Sequence, residues 1–243
     1  MNFSRRHVLA LSGATLLTGC VQTGSEVFRS VPIEGTDYNE FAQRATQRGQ
    51  PVRQVQTGET WESLFGSQAT VARFANRQNL VLEAGQMVIV PPAGATTASI
   101  SPFPVAAHAG ESKLVVVSPG RYAWALYEYG QLTRWGPAVC GANYCADVGR
   151  GCQTPSGRFV VSEVAGPNRR SNAYPPILAA EGKGAIMPYY MRLTAGGVGM
   201  HARYIRGVHA SHGCVGMFYD DAEWLNLNHA KRGRLPVLVE SYT

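Results

Sequence analysis

The chain has 243 residues, of which 45% are hydrophobic and 16% charged, with a formal net charge of +6. That length fits one ordinary domain plus a smaller one, and the composition supports a packed core and excludes global disorder. Arg5 and Arg6 carry two of the charges, so +4 remains beyond the first nineteen residues, and the cations are scattered along the chain. Such a distribution reads as a solvated surface and argues against nucleic acid as a partner.

Residues 1–19 read as a processing signal. "MNFSRRH" is a short basic stretch, and "VLALSGATLL", Val8 to Leu17, is apolar but too short to span a bilayer. "LTGC" follows and resembles the lipobox of bacterial lipoproteins, in which the cysteine, here Cys20, is lipidated and becomes the new N-terminus. "SRRHVL" also resembles a twin-arginine export signal. Val21 stands where an inner-membrane lipoprotein often has aspartate, so the resemblance implies a periplasm-facing lipid anchor in the outer membrane of a diderm bacterium. Cys140, Cys145, Cys152 and Cys214 remain. Export implies an oxidising compartment. Cys145 and Cys152 enclose the short loop "CADVGRGC" and are the first choice for a disulfide, although sequence alone does not fix connectivity. None of the spacings is C-x-x-C, so no metal is expected.

Residues 20–51 are polar, without sustained apolar periodicity, and read as a flexible tether. Residues 52–92 then suggest a small βααβ module. Val52 and Val55 mark a strand. Thr60 caps a short helix presenting Trp61, Leu64 and Phe65, Val71 and Phe74 mark a second helix, and "MVIV" is a closing strand stopped by Pro91 and Pro92. "TGETW", Leu64, Asn76 and "AGQMVIVP" resemble a LysM module, which implies binding of N-acetylglucosamine-containing glycan. Residues 93–111, rich in small residues, Ser, Thr and Pro, read as an interdomain linker.

From residue 112 to 243 the chain reads as mostly strand. "KLVVVS", "RYAWALYEY", "QLTRWGPAV", "RFVVSEV", "MRLTAGGVGM" and "LPVLVES" are strand candidates, and "DDAEWLNLNHAKR" is a helix that Asp220 or Asp221 caps. The expected class is α+β and multidomain: the small module, then a β-rich, mainly antiparallel, sandwich-like domain.

The chemistry gathers at "ASHGCVGMF", Ala210 to Phe218. A cysteine nucleophile needs a nearby base and donors for the oxyanion. His201, His209 and His212 are within reach along the chain, and Gly213 permits an unusual backbone angle. Local chemistry alone leaves Cys214 as either a nucleophile or a buried structural thiol. "ASHGCVGM", with "MHARYIRGVH" before it, resembles the active-site signature of the L,D-transpeptidases, the YkuD-type catalytic domain; "TPSGRF" and "MPYYMRL" match further pieces of that family in order.

The resemblance implies Cys214 as the acylated nucleophile and His201 as proton acceptor and donor, oriented by the Ala202 carbonyl. Ser211, His212 and Gly213 would shape the loop, with the Gly213 and Cys214 amides as oxyanion donors. Tyr189, Tyr190 and Arg203 would line the substrate groove, while His209 would be incidental. The implied reaction is acyl transfer from the diaminopimelate–D-alanine bond of a peptidoglycan tetrapeptide stem to an amine in the wall, without a cofactor. The acceptor could be a second stem, a lysine of an outer-membrane protein or a free D-amino acid; water would make the enzyme a carboxypeptidase. Gly216, where the family has Arg or Asn, and Arg203, where Gly often follows H-A, depart from the pattern. They motivate one alternative, a catalytically degenerate wall-binding lipoprotein; an L,D-carboxypeptidase or amidase on the same scaffold is another.

Overall fold

The structure, a computed structural model, describes residues 38–242. The signal segment, Cys20 and Val21 lie outside the described residues.

The first element is α1 (Tyr38–Gln47), in a stretch expected to be tether. Its inward side consists of Ala42 and Ala45, both about fully buried. Two alanines three apart cover a helix face without producing the apolar periodicity that large side chains would show, which is why the element was not legible. Glu40 and Arg44 pair across one turn at 3.1 Å.

The βααβ segment follows as β1 (Val52–Gln54), α2 (Trp61–Phe65), a 3-10 turn, α3 (Ala69–Ala75) and β2 (Met87–Ile89), with β1 and β2 antiparallel. Thr60 starts α2 with a capping box: its Oγ1 accepts from the Ser63 amide and the Ser63 Oγ accepts from the Thr60 amide. Val55, Trp61, Ala69, Ala72 and Val88 form a small core. Asn76, fully buried, fastens helix to strand. Its amide donates to the Ala72 and Ile89 carbonyls at 2.9 Å, and its Oδ1 accepts from the Ile89 amide at 2.8 Å.

Residues 93–111, expected as a linker, form a packed strap. Phe103 is buried against Leu114, Val116 and Tyr127. The strap's backbone accepts from the Trp135 indole at Thr97 (2.7 Å) and from the Tyr127 hydroxyl at Pro104 (2.8 Å), and its Val105 carbonyl accepts from the Leu132 amide (2.9 Å). Buried Trp and Tyr need partners for their polar ends, and here the strap supplies them.

The remaining strands are β3 (Lys113–Ser118), β4 (Ala123–Glu128), β5 (Gln131–Val139), β6 (Gly157–Val160), β7 (Glu163–Val164), β8 (Met191–Arg192), β9 (Gly199–Ala202), β10 (Val215–Met217) and β11 (Pro236–Val239). Helices α4 (Pro176–Ala180) and α5 (Tyr219–Asn228) complete the fold. The expected sandwich is corrected to one nine-stranded sheet in the order β6-β11-β3-β4-β5-β10-β9-β8-β7. Most pairs are antiparallel, with β11–β3 and β10–β9 parallel.

The segment read as one strand, "RFVVSEV", is cut at Val161 and Ser162, and its halves become the two opposite edges of the sheet. Two residues cannot span a flat nine-stranded sheet, whose strands are about 4.8 Å apart. The sheet must therefore curl until its edges meet. The curl wraps a core of Val115, Val117, Trp124, Met200, Val215 and Met217, into which α5 sets Ala222 and Leu225. Side chains alternate in direction along β3 and β4, so their other face (Leu114, Val116, Ala125 and Tyr127) is buried too.

Asp221 does not cap α5. The residue at the helix start is Phe218, and Asp221 turns inward to Arg134 at 2.6 Å. The Arg134 guanidinium, which also lies over the Trp224 ring at 4.6 Å, gives the carboxylate a better partner than the helix's own amides.

The module and the sheet share their apolar contacts, and the described residues form one compact unit. Phe74 of α3 meets Trp135 of β5 edge to face at 4.9 Å, and Leu80 joins Val139 and Ile205 in a small cluster. Arg77 Nε donates to the Arg121 carbonyl at 2.6 Å, and the Leu80 amide to the Arg206 carbonyl at 3.2 Å. Phe74→Ala should therefore cost the whole unit about 3–5 kcal/mol. Calorimetry should show a single transition moving down; two separate transitions, with only one shifted, would contradict shared packing.

Candidate active site

The site is built on β9 and β10. Their parallel register sets Met200 opposite Val215, His201 opposite Gly216 and Ala202 opposite Met217. Extending it by one residue sets Cys214 opposite Gly199. Residues two apart on a strand share a face, so Cys214 and Gly216 on one strand lie on the same face as Gly199, His201 and Arg203 on the other. At about 3.3 Å per residue and about 4.8 Å between strands, the Cα atoms of Cys214 and His201 are roughly 8 Å apart.

His201 is buried, and its Nδ1–H donates to the Ala202 carbonyl at 2.8 Å. That bond fixes the tautomer and leaves Nε2 with a free lone pair. Burial lowers the ring's pKa to about 4, the Ala202 carbonyl opposes the shift, and the Arg203 charge adds to it. The imidazole is therefore neutral at pH 7. Burial also pushes the Cys214 thiol up, against the Gly199 backbone and the Arg203 charge, which favour the thiolate. At rest the site holds a thiol and a neutral imidazole on one face of the ladder, an arrangement for passing the proton during attack rather than storing an ion pair.

The Gly197 carbonyl lies 3.9 Å from Cys214 Sγ and also accepts from the Tyr190 hydroxyl at 2.8 Å. Tyr190 is thus a buried brace under the β8–β9 turn and does not line a groove. Tyr189 is buried as well: its hydroxyl donates to Glu223 of α5 and its ring meets Tyr219 edge to face. Both tyrosines had been expected in the substrate groove. The Tyr190 hydroxyl is bound to the Gly197 carbonyl and the Tyr189 hydroxyl to Glu223, so neither polar end is free to bind a substrate.

Ser211 shapes the loop. Its Oγ donates to the Cys214 carbonyl at 2.5 Å and accepts from the Gly213 amide at 3.2 Å. Gly213 sits at φ 126°, in a region L-residues rarely adopt. The Gly213 amide is therefore already engaged, which corrects its assignment as an oxyanion donor and leaves the amide of Cys214 from that pair. His212 turns away to Asp147, with Nε2 2.8 Å from a carboxylate oxygen, and stacks on Tyr174 at 4.4 Å. His209 is a structural pin: Nδ1 accepts from the Cys140 amide at 2.9 Å, Nε2–H donates to the Pro119 carbonyl at 3.1 Å, and the ring stacks on Tyr122 at 4.1 Å.

Cys145 and Cys152 are joined by a disulfide. The segment just before this loop packs on the Ser211–Gly213 turn through the Gly141–Ser211 bridge and the Ala142 amide, which donates to the Ser211 carbonyl at 2.9 Å. Thr154 completes this floor, donating to the Gly213 carbonyl at 2.8 Å and accepting from the Gly141 amide at 3.0 Å. "TPSGRF" had marked Thr154 only as part of a motif; its hydroxyl proves to hold the nucleophile's loop. Among the described residues one group has metal-ligand proximity, Cys145, Asp147 and His212 within 4.8 Å, but the Cys145 sulfur is already bonded to Cys152.

The family pattern described as the L,D-transpeptidase catalytic domain, YkuD, matches residues 112–239. Among solved structures, an L,D-transpeptidase from Xylanimonas cellulosilytica is similar at 22% identity and a TM-score of 0.51, over 71% of this chain and 78% of that one. An L,D-transpeptidase from Mycobacterium tuberculosis aligns at 21% identity and a TM-score of 0.42, over 54% of this chain. This chain spans 58% of that protein's length. An L,D-transpeptidase from Mycobacterium smegmatis aligns at 19% identity and a TM-score of 0.43, over 82% of this chain and 85% of that one. No curated protein matches the chain.

His201 and His209 are both held neutral by burial, each lowered to about 4 from 6.5. Above pH 6.5 neither state binds a proton at these rings. As pH falls from 6.5 toward 4, the unfolded chain takes up protons that the folded one refuses, and stability drops by up to roughly 3 kcal/mol per ring. Urea titrations at pH 7 and pH 4.5 should show that loss, and His209→Gln should shrink the difference by about half. Equal stabilities at the two pH values would refute the buried neutral assignment.

Proposed function

The chain belongs to the YkuD family of L,D-transpeptidase catalytic domains, and we propose that it is a peptidoglycan L,D-transpeptidase acting through Cys214 and His201. The observation that carries this reading is the shared face of β9 and β10, with the His201 ring fixed through Nδ1 to the Ala202 carbonyl so that Nε2 is free.

In the proposed reaction the Cys214 sulfur attacks the diaminopimelate carbonyl of a tetrapeptide stem while His201 Nε2 takes the thiol proton. The Cys214 amide faces the developing oxyanion. The tetrahedral species collapses, His201 returns the proton to the leaving nitrogen, and D-alanine departs, leaving a thioester on Cys214. An amine of the wall then attacks the thioester, His201 accepting its proton, and the thiol is regenerated. The reaction as written uses no metal or organic cofactor. The acceptor amine comes from a second stem, from a lysine of an outer-membrane protein or from a free D-amino acid.

The βααβ segment, with its antiparallel β1–β2 pair and its Thr60 and Asn76 fastenings, supports the reading of residues 52–92 as a LysM-like, glycan-binding module. The lipobox-like "LTGC" supports lipidation at Cys20 and an outer-membrane, periplasm-facing anchor. Together the anchor and the module would raise the effective concentration of the catalyst at the wall.

Incubation with tetrapeptide muropeptides should release D-alanine, and a carbapenem, which by the family resemblance acylates the nucleophile, should add one drug mass. Cys214→Ala should do neither, and His201→Ala should lower the acylation rate by about a hundredfold or more. A wild type that takes no adduct and releases no D-alanine while still binding sacculi would instead establish the degenerate wall-binding reading. Sacculus binding should be competed by chito-oligosaccharides if the module binds glycan. Cys20→Ala should remove the acyl mass and release the protein from the membrane fraction; a wild type without that mass would exclude the anchor.

A further inference from the structure

Gly216 and Arg203, the two departures from the family pattern, meet in space. Gly216 stands opposite His201 in the β9–β10 ladder, on the same face as Cys214. Its backbone is not left-handed, so conformation does not require glycine there. A Cβ at that position would come within 2.3 Å of Arg203 Cδ and 2.6 Å of Arg203 Cγ. The aliphatic stem of Arg203 therefore occupies the space that a side chain at 216 would fill. The Arg203 amide donates to the Met217 carbonyl at 3.0 Å, extending the ladder by one residue and holding that side chain over β10.

The charge at the end of the stem is not spent inside the protein. Among the described residues no carboxylate pairs with Arg203, and the ionisable group that bears on it is the Cys214 thiol. Burial of the group lowers its pKa. Holding a cation in such a place without a counter-ion is costly, and the cost is removed when an anion arrives. Arg203 also lines a groove of about 820 Å³ between the βααβ module and the sheet, together with Tyr204, Pro188, Tyr219 and Trp61. The groove's carboxylates are already paired, Glu59 with Arg53 at 2.6 Å and Glu62 with Arg73 at 3.0 Å. The unpaired charge facing the groove and the thiol is thus positive.

We propose that Arg203 supplies from β9 the cation that β10 lacks at Gly216, and that its guanidinium binds a carboxylate of the acyl-donor stem as the stem enters from this groove. The inference rests on the L,D-transpeptidase reading. The donor stem offers two carboxylates near the scissile bond: the C-terminal one on the departing D-alanine, and the one on the diaminopimelate side chain. Both present the same planar anion to a bidentate guanidinium.

The test measures release of the terminal residue from three soluble tetrapeptide stems: the free acid, one amidated at the C-terminus, which yields D-alaninamide in place of D-alanine, and one amidated on the diaminopimelate side chain. One amidation should raise wild-type KM by about tenfold to a hundredfold with a smaller change in kcat, and it identifies which carboxylate is bound. Arg203→Met should show the same loss with the free acid and no further loss with that amide. The paired exchange Arg203→Gly with Gly216→Arg should recover most of the loss. Alkylation of Cys214 by neutral iodoacetamide, together with the melting temperature, checks that the Arg203 variants remain folded with an accessible thiol. The wild-type comparison of the three stems needs no variant at all. Wild type that handles all three stems equally overturns the proposal, as does an Arg203→Met KM within twofold of wild type. A wild type that releases no terminal residue from any stem overturns the transpeptidase reading itself, and the proposal with it.

Discussion

The parallel pairing of β9 with β10 joins Met200 to Val215, His201 to Gly216 and Ala202 to Met217. It is three residues long, and the chemistry of the molecule depends on it. A shift of one residue would turn either His201 or Cys214 to the opposite face, because side chains on a strand alternate with period two. Several features prevent the shift. Met200, Ala202, Val215 and Met217 point into the core between the reactive positions, where moving them would expose apolar surface. The Ala202 carbonyl is tied to the His201 ring and the Met217 carbonyl to the Arg203 amide. The core fixes the register, and the register orients the chemistry.

The turn that delivers Cys214 to this ladder is held from below. Ser211 Oγ bridges the Gly213 amide and the Cys214 carbonyl, Thr154 grips the Gly213 carbonyl, and the Ala142 amide, just before the disulfide-closed loop, donates to the Ser211 carbonyl. Every partner here is a backbone group or a short hydroxyl side chain with few rotamers, so little entropy is left to lose on substrate binding. The histidines divide along the same line. His209 has both nitrogens bound to backbone, and His212 is engaged by Asp147, whereas His201 keeps one nitrogen free.

Much of this was legible in the sequence where the signal was local or periodic. The strands with apolar runs and the helix capped at Thr60 follow from residue types and spacing, whereas the grouping of Cys214 with His201 came from the resemblance to the L,D-transpeptidase signature. What was not legible depended on long-range partners. The burial of α1 rests on two alanines, and the packing of residues 93–111 depends on Trp135 and Tyr127 needing acceptors for their polar ends. The inward turn of Asp221 depends on Arg134, eighty-seven residues away. The division of "RFVVSEV" between two sheet edges depends on the curl of the whole sheet. Tyr189 and Tyr190 read as groove residues because they are aromatic and follow a motif; that their hydroxyls are bound to Glu223 and Gly197 depends on partners remote in sequence.

The packing of the βααβ module against the sheet changes what that module can contribute. A module on a flexible linker raises the local concentration of a catalyst but leaves its orientation free. Here Phe74 is locked to Trp135, Leu80 to Val139 and Ile205, and Arg77 to the Arg121 carbonyl, while residues 93–111 are bound along the outer face of β4 and β5. The loop at Glu59–Glu62 and the segment at Leu80–Leu82 consequently face Arg203 and Tyr204 across one groove. Under the proposed reading, glycan held by the module fixes the direction as well as the distance from which a peptide stem approaches Cys214. Orientation of that kind acts on the reacting geometry itself, where small misplacements are costly, so disturbing the module's packing should affect turnover on intact wall more than on small soluble stems.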